Sequence, residues 1–196
     1  MITSDHEVSE ASTVDREGRL LIIAGPSGVG KSSIVHDLLK QPGRKLSVSC
    51  TTRSPREGEL EGVDYSFLST ADFEDHISRN GFAEYAEVHG NYYGTMRQPL
   101  EDALADGTVF ILDIDVQGAE QIKGEYPEAI SVFILPPSIE ELDARLRGRK
   151  TDDAAVIERR LKRAQAEIQR QEEFDHRVVN EDLEKAVSQI EDILAP

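Results

Sequence analysis

The sequence predicts one α/β domain built on a parallel sheet, and three observations predict it. Nearly continuous apolar runs recur at Leu20–Ala24, Leu46–Cys50, Val109–Ile114, Ser131–Leu135 and Arg177–Val179, the pattern of strands buried on both faces. Amphipathic helical patterns alternate with most of them, which places helices on the two faces of one sheet. With 38% hydrophobic and 31% charged residues, a chain of 196 residues can bury a single substantial core.

Taken in order, residues 1–18 are polar, carry Asp5, Glu7, Glu10, Asp15 and Glu17, and show no apolar period, which predicts a flexible acidic tail. After the first apolar run, Ile34, Val35, Leu38 and Leu39 share one helical face, and Pro42-Gly43 ends that helix. Residues 51–107 break the rhythm with short polar pieces rich in aromatics (Tyr65, Phe67, Phe82, Tyr85, Tyr92, Tyr93), predicting an inserted small lobe. Ser138 to Glu141 reads as a capping box before Ile139, Leu142 and Leu146. Ile157, Leu161, Ala164 and Ile168 define a long amphipathic helix within a second excursion at 147–170. Leu183, Ala186, Val187, Ile190 and Leu194 define the last helix. The core is thus expected at about 19–50, 108–146 and 171–196.

Composition excludes several classes. The longest aliphatic run has five residues, against roughly 20 for a membrane-spanning helix. The N-terminus has neither the basic start nor the apolar segment of a secretory signal, and the single Cys50 permits no internal disulfide, so a cytoplasmic protein is expected. A net charge of −16 disfavours nucleic acid and anionic membrane as partners. The sequence leaves self-association open. Two segments run against the overall charge: 41–56 holds four basic residues and no acidic ones, and 145–170 holds nine basic and four acidic. They suggest a small, highly charged anionic ligand held at one place.

Gly25-Pro26-Ser27-Gly28-Val29-Gly30-Lys31-Ser32 matches G-x-x-x-x-G-K-[ST] between an apolar run and an amphipathic helix. Its glycines let backbone N–H groups curl around a phosphate, and the following helix aims its positive end at the same anion. Lys31 reaches the outer phosphates and the Ser32 hydroxyl suits Mg²⁺, so a nucleoside triphosphate site is expected. Three classes own such loops: a GTPase switch, a small-molecule kinase, and a binding module that keeps the fold without the chemistry. Asp115-Val-Gln-Gly118 imitates the D-x-x-G of a GTPase, but no N-K-x-D follows to read guanine.

Val48-Ser-Cys-Thr-Thr-Arg-Ser-Pro-Arg-Glu-Gly58, Gly62-Val-Asp-Tyr65, Gly90-Asn-Tyr-Tyr-Gly-Thr95, Ile111-Leu-Asp-Ile-Asp-Val-Gln-Gly118, Ile134-Leu-Pro-Pro-Ser138 and Arg145-Leu-Arg-Gly-Arg149 follow in order. Together they resemble the guanylate kinase family over residues 19 to 194. The resemblance implies a P-loop nucleoside monophosphate kinase fold, with a five-stranded parallel core, a GMP-binding lobe at 51–107 and a helical lid at 147–170. It implies transfer of the ATP γ-phosphate to GMP, with Mg²⁺, giving ADP and GDP. The alternative in another class is an inactive guanylate-kinase-like interaction module; the intact Lys31 and Ser32 count against it.

By the same resemblance, Glu84 reads the guanine with Ser49, Thr95 and Asp115, while Arg53, Arg56, Tyr65 and Tyr93 hold the GMP phosphate. Arg145, Arg149 and Arg160 are the lid arginines, Asp113 is a Mg²⁺ carboxylate alongside Ser32, and Asn180 lies on the adenine side of ATP. The chemistry suits these residue types. Guanine offers two N–H donor groups beside an acceptor, and arginine forks match phosphate. A phosphate monoester with a second pKa near 6 is already a dianion at neutral pH, so no general base is expected. Accordingly His6, His36, His76, His89 and His176 are expected to be structural or solvated, as are Arg147, Arg159 and Arg163. Lys150, Met96 and Cys50 depart from the family pattern.

Overall fold

The computed structural model describes residues 17–88, 90–148 and 153–195; the predicted tail up to residue 16, Arg149 and Lys150 lie outside them. Strand β1 (Arg19–Ala24) is the centre of the fold. It pairs in parallel with β7 (Val109–Asp113) on one side and β8 (Ile130–Leu135) on the other. Strands β2 (Arg44–Leu46) and β9 (His176–Val179) complete a five-stranded parallel sheet in the order β2-β7-β1-β8-β9.

Alternation along β1 divides the core. Leu20, Ile22 and Ala24 face α3 (Arg97–Ala105) and α4 (Val116–Glu125), meeting Leu100, Ala103, Ala119 and Ile122. Leu21 and Ile23 face α1 (Lys31–Leu38) and α7 (Leu183–Leu194), meeting Ile34, Leu38, Ala186 and Ile190. Truncating one fully buried member, such as Ile22→Ala, costs about 2–5 kcal/mol.

Residues Leu46–Cys50 do not form one strand. The Ser47 N–H makes the last bond toward β7, to the Ile111 carbonyl at 2.9 Å, and the chain then leaves the sheet. Cys50 opens β3 (Cys50–Thr51) in a second sheet of order β4-β3-β6-β5. One apolar run therefore serves two sheets. The others are β4 (Ser66–Phe67), β5 (Phe82–Val88) and β6 (Asn91–Met96). Helix α2 (Thr70–Ser78) stacks Phe73 between Phe82, 4.2 Å away by ring centroids, and Tyr92, 5.2 Å away. Cys50 is buried in the same small cluster.

Helix α5 (Ile139–Gly148) lies against α6 (Ala154–Gln169) through Leu142, Leu146, Ile157 and Ala164. Of the predicted capping box, Ser138 Oγ does accept from the Glu141 N–H, while the Glu141 carboxylate takes Arg145 instead. Ser69, Asp115, Asp153 and Asp182 cap α2, α4, α6 and α7, each such bond stabilising its helix by about 1 kcal/mol. Among the described residues no helix is long and apolar enough to cross a membrane.

Candidate active site

A cleft of about 1050 Å³ opens where the C-terminal ends of β1 and β7 meet the second sheet and α6. The loop from Gly25 to Gly30 forms one end. Gly30 caps α1 with φ 102°, and a Cβ there would stand 2.3 Å from the Asn180 amide nitrogen. That backbone region and that space admit only glycine. Val29 and Pro26 are buried and anchor the loop, leaving Ser27 exposed and Lys31 half-buried at the cleft. Lys31 Nζ donates to the Gly25 carbonyl at 2.7 Å and lies 3.8 Å from Asp113 at the end of β7. Burial pushes the Asp113 carboxyl above its usual range, against the pull of Lys31. Ser32 is exposed on the first turn of α1.

Two residues brace the loop from behind. Asn180, 8% exposed, donates its amide to the Val29 carbonyl at 2.8 Å, and Arg145 donates to the same carbonyl at 3.3 Å and to the Asn180 carbonyl at 3.1 Å. Asn180, expected on the adenine side, and Arg145, expected at the lid edge, thus both hold the backbone of the loop.

The other end of the cleft is built by the second sheet. Strand β5 carries a bulge between Phe82 and Glu84. Phe82, Ala83 and Glu84 are consequently all buried in succession, and Glu84 is aimed into the cleft. Its Oε1 accepts from Thr95 Oγ1 at 2.7 Å on the paired strand. Burial pushes the Glu84 carboxyl up to about 7; the nearby Asp115 carboxylate adds to this and the Thr95 hydroxyl opposes it. Asp115 caps α4 through Oδ1, which accepts from the Gln117 and Gly118 N–H groups at 3.0 Å. Its Oδ2 is buried without a hydrogen-bond partner and lies 3.8 Å from Arg163 in an ion pair. Ser49 lies at the same cleft wall.

Below these, Tyr65 and Tyr93 meet edge to face with centroids 6.1 Å apart. Burial, then the neighbouring Tyr93, raises the Tyr65 hydroxyl pKa. Arg53 lies over Tyr65, 5.3 Å from its ring. Its Nη1 donates to Glu59 at 3.0 Å and to the Ser54 carbonyl at 2.7 Å, its Nη2 donates to Glu59 at 2.9 Å, and its Nε is buried without a hydrogen-bond partner. Glu59 also accepts from the Arg56 N–H at 2.7 Å, and the Arg56 side chain lies exposed at the cleft. These bonds hold the Glu59 carboxyl below its usual range.

Helix α6 closes the remaining side. Arg160 donates to Ser27 Oγ of the glycine loop at 2.6 Å. Arg159 and Arg163 are exposed, as expected, and they also line the cleft beside it. Their spacing was the missed signal: positions 159, 160, 163 and 167 share the helix face flanking the apolar stripe of Ile157 and Ala164. Arg147 is exposed and paired with Asp143, as expected. Arg149 lies outside the described residues. The structure thus brings to one cleft the loop, Lys31 and Asp113 at one end and Ser49, Glu84, Asp115, Tyr65, Tyr93 and Arg56 at the other.

A family model described as guanylate kinase matches residues 17–196. The chain is 49% identical to a guanylate kinase of Synechocystis sp. over 175 residues, covering 89% of this chain and 92% of that one. It is 50% identical to a guanylate kinase of Gloeobacter violaceus over 177 residues, covering 90% and 86%. Among solved structures, guanylate kinase from Anaplasma phagocytophilum superposes with a TM-score of 0.76 at 38% identity, covering 91% of this chain and 85% of that one.

Proposed function

The chain belongs to the guanylate kinase family, and on that premise we propose that it transfers the γ-phosphate of ATP to GMP. The observation that carries the reading lies in the buried polar atoms. Among the described residues, Arg53 Nε and Asp115 Oδ2 are buried without a hydrogen-bond partner. Such atoms are costly to leave unmatched, by about 1–3 kcal/mol each. Asp115 Oδ2 lines the cleft beside the buried Glu84, and these two acceptors call for a base carrying N–H donors, while Lys31, Arg56 and Arg160 in the same cleft call for anions. A guanine nucleotide supplies both.

In this reading the second sheet and the loops around it form the GMP lobe, and α6 with the end of α5 forms the lid. The glycine loop, the first turn of α1 and Lys31 hold the ATP phosphates. Glu84, Asp115, Thr95 and Ser49 read the base; Arg53, Arg56, Tyr65 and Tyr93 hold its phosphate. An oxygen of that phosphate attacks the γ-phosphorus in line, the bond from the γ-phosphorus to its bridging oxygen breaks, and ADP leaves with the electron pair. The attacking group is already ionised, so positioning and charge neutralisation do the catalysis. Lys31 and Arg160, both at the glycine loop, neutralise the transferring group, and α6 covers it against water. The Ser32 hydroxyl and the Asp113 carboxylate are hard oxygen donors beside Lys31, a set that fits Mg²⁺ held largely by phosphates and water. When bound, that ion would supply positive charge that offsets the donor phosphates.

Coupled measurement of ADP formation with GMP, AMP, dTMP and UMP tests the reading. The expected result is turnover with GMP at least about 100-fold above AMP, because an unpaired buried carboxylate rejects the wrong base. Equal turnover of GMP and AMP would overturn it.

A further inference from the structure

Asp115, Gly118, Gln121 and Glu125 follow one another along α4 at spacings of three, three and four, a single helix stripe. Strand β5, the edge strand of the second sheet, lies along that stripe. At its outer edge the Tyr85 N–H donates to Gln121 Oε1 at 3.2 Å, and Gln121 Nε2 donates to the Tyr85 carbonyl at 2.9 Å, so one side chain stands in for a missing strand. Lower on the stripe, Glu125 pairs with Arg97, whose guanidinium also donates to the Phe82 carbonyl at 2.8 Å. Between Asp115 and Gln121 sits Gly118. A Cβ there would lie 2.6 Å from Glu84 Oε2 and 3.1 Å from its carboxyl carbon. The Glu84 carboxylate therefore occupies the space where any other residue's side chain would begin.

We propose that Gly118 and Gln121 are positioning residues for recognition of the acceptor base. Helix α4 belongs to the core, Glu84 to the second sheet. By leaving a gap at 118 and pinning the strand at 85, the helix seats Glu84 in register with Asp115 at its own N-terminus. The two carboxylates that face the base are thus set by one rigid element, independently of the loops that hold the phosphate. The inference rests on the assignment of Glu84 to guanine.

The test is a double-mutant cycle of Gly118→Ala and Glu84→Gln, with calorimetric Kd values for GMP and for a non-hydrolysable ATP analogue. Alanine is the better helix former, and the atom it meets ends a flexible side chain, so the variant is expected to fold with an unchanged melting temperature. Displacing Glu84 from its seat is expected to weaken GMP about 10- to 100-fold and to leave the ATP analogue within about twofold. In the Glu84→Gln background the same substitution is expected to weaken GMP by less than about threefold, the non-additivity of two residues acting through one contact. An equal loss in both backgrounds, or no loss in the first, overturns the proposal and leaves the base assignment standing. No loss from Glu84→Gln alone overturns the base assignment and the inference with it. Gln121→Met, at an exposed position, tests the same seat should the alanine variant prove unstable: weakened GMP with unchanged ATP analogue is expected, and equal weakening of both overturns the proposal.

Discussion

The Glu84 carboxyl is where recognition and stability oppose each other. Burial raises it from 4.5 to about 7. At 1.36 kcal/mol per unit, holding this group ionised in the empty site costs about 3 kcal/mol relative to water. The sign follows from proton binding. Between pH 4.5 and 7 the folded chain holds a proton that the unfolded chain has lost, so stability is greatest below pH 4.5 and this contribution falls away as pH rises to 7. Glu84→Gln keeps an acceptor for the Thr95 hydroxyl and removes the ionisation. Urea unfolding of both proteins from pH 5 to pH 8 is expected to show the variant gaining on the native chain by about 2–3 kcal/mol over that range, with most of the gain below pH 7.5. GMP binding runs the other way. Guanine N–H groups need the ionised form, so native affinity for GMP is expected to fall as pH drops below 7, more steeply than the variant's residual affinity, in which only the phosphate titrates. A stability difference that stays flat with pH would refute the argument, because it would mean that Glu84 ionises as freely in the fold as in water.

Further outcomes follow from the same contacts. Lys31→Ala is expected to lower kcat at least about 100-fold while GMP binding by calorimetry is retained, since its charge acts on the transferring group. Asn180→Ala leaves the buried Val29 carbonyl with the longer Arg145 bond alone; a loss of about 1–3 kcal/mol by thermal unfolding and a raised KM for ATP, with the KM for GMP unchanged, are expected. Glu59→Gln removes the charged partner of the Arg53 fork, and steady-state kinetics is expected to show the KM for GMP about tenfold higher with the KM for ATP unmoved.

The centre of the first sheet was legible because its inner strands are buried on both faces, so Leu20–Ala24 and Ser131–Leu135 read as apolar runs. The second sheet was not. Strands β3 and β4 have two residues each, too few for any period, and the bulge in β5 replaces alternation with three buried residues in succession. Helix α2 did leave a signal, Ser69 three residues before Asp72, but Phe73 is its one buried apolar residue and no stripe drew the eye. The glycine loop was legible because its geometry tolerates so few residues. Contacts between residues far apart in the chain left no such signal. Asn180 and Val29 are 151 positions apart, and Arg145 and Val29 are 116 apart, so nothing local in the sequence shows that both side chains brace the loop.

The cations of the cleft share a feature that explains how one site holds so many of them. Four of them, in or beside the cleft, have an acceptor within the protein: Lys31 the Gly25 carbonyl, Arg53 the Glu59 carboxylate, Arg160 the Ser27 hydroxyl, Arg163 the Glu167 and Asp115 carboxylates. Without those partners, the positive groups would repel one another in a half-buried site. With them, substrate binding at these four groups is an exchange of acceptors rather than the creation of new ion pairs, and exchange is nearly neutral when both acceptors carry similar charge. Phosphate oxygens carry more charge than the Gly25 carbonyl or the Ser27 hydroxyl, so the exchange favours nucleotide most strongly at Lys31 and Arg160. Those two groups sit at the glycine loop, on the donor side. On the acceptor side Arg53 keeps a carboxylate partner already, and the gain there comes from the unmatched Asp115 Oδ2 and from the exposed Arg56. Donor binding should therefore be driven by charge and weaken steeply with added salt, whereas acceptor binding, resting on buried matching of the base, should weaken less. Titrating each nucleotide alone between 50 and 300 mM KCl checks this, and a steeper salt dependence for GMP than for ATP would show that the assignment of the two ends is reversed.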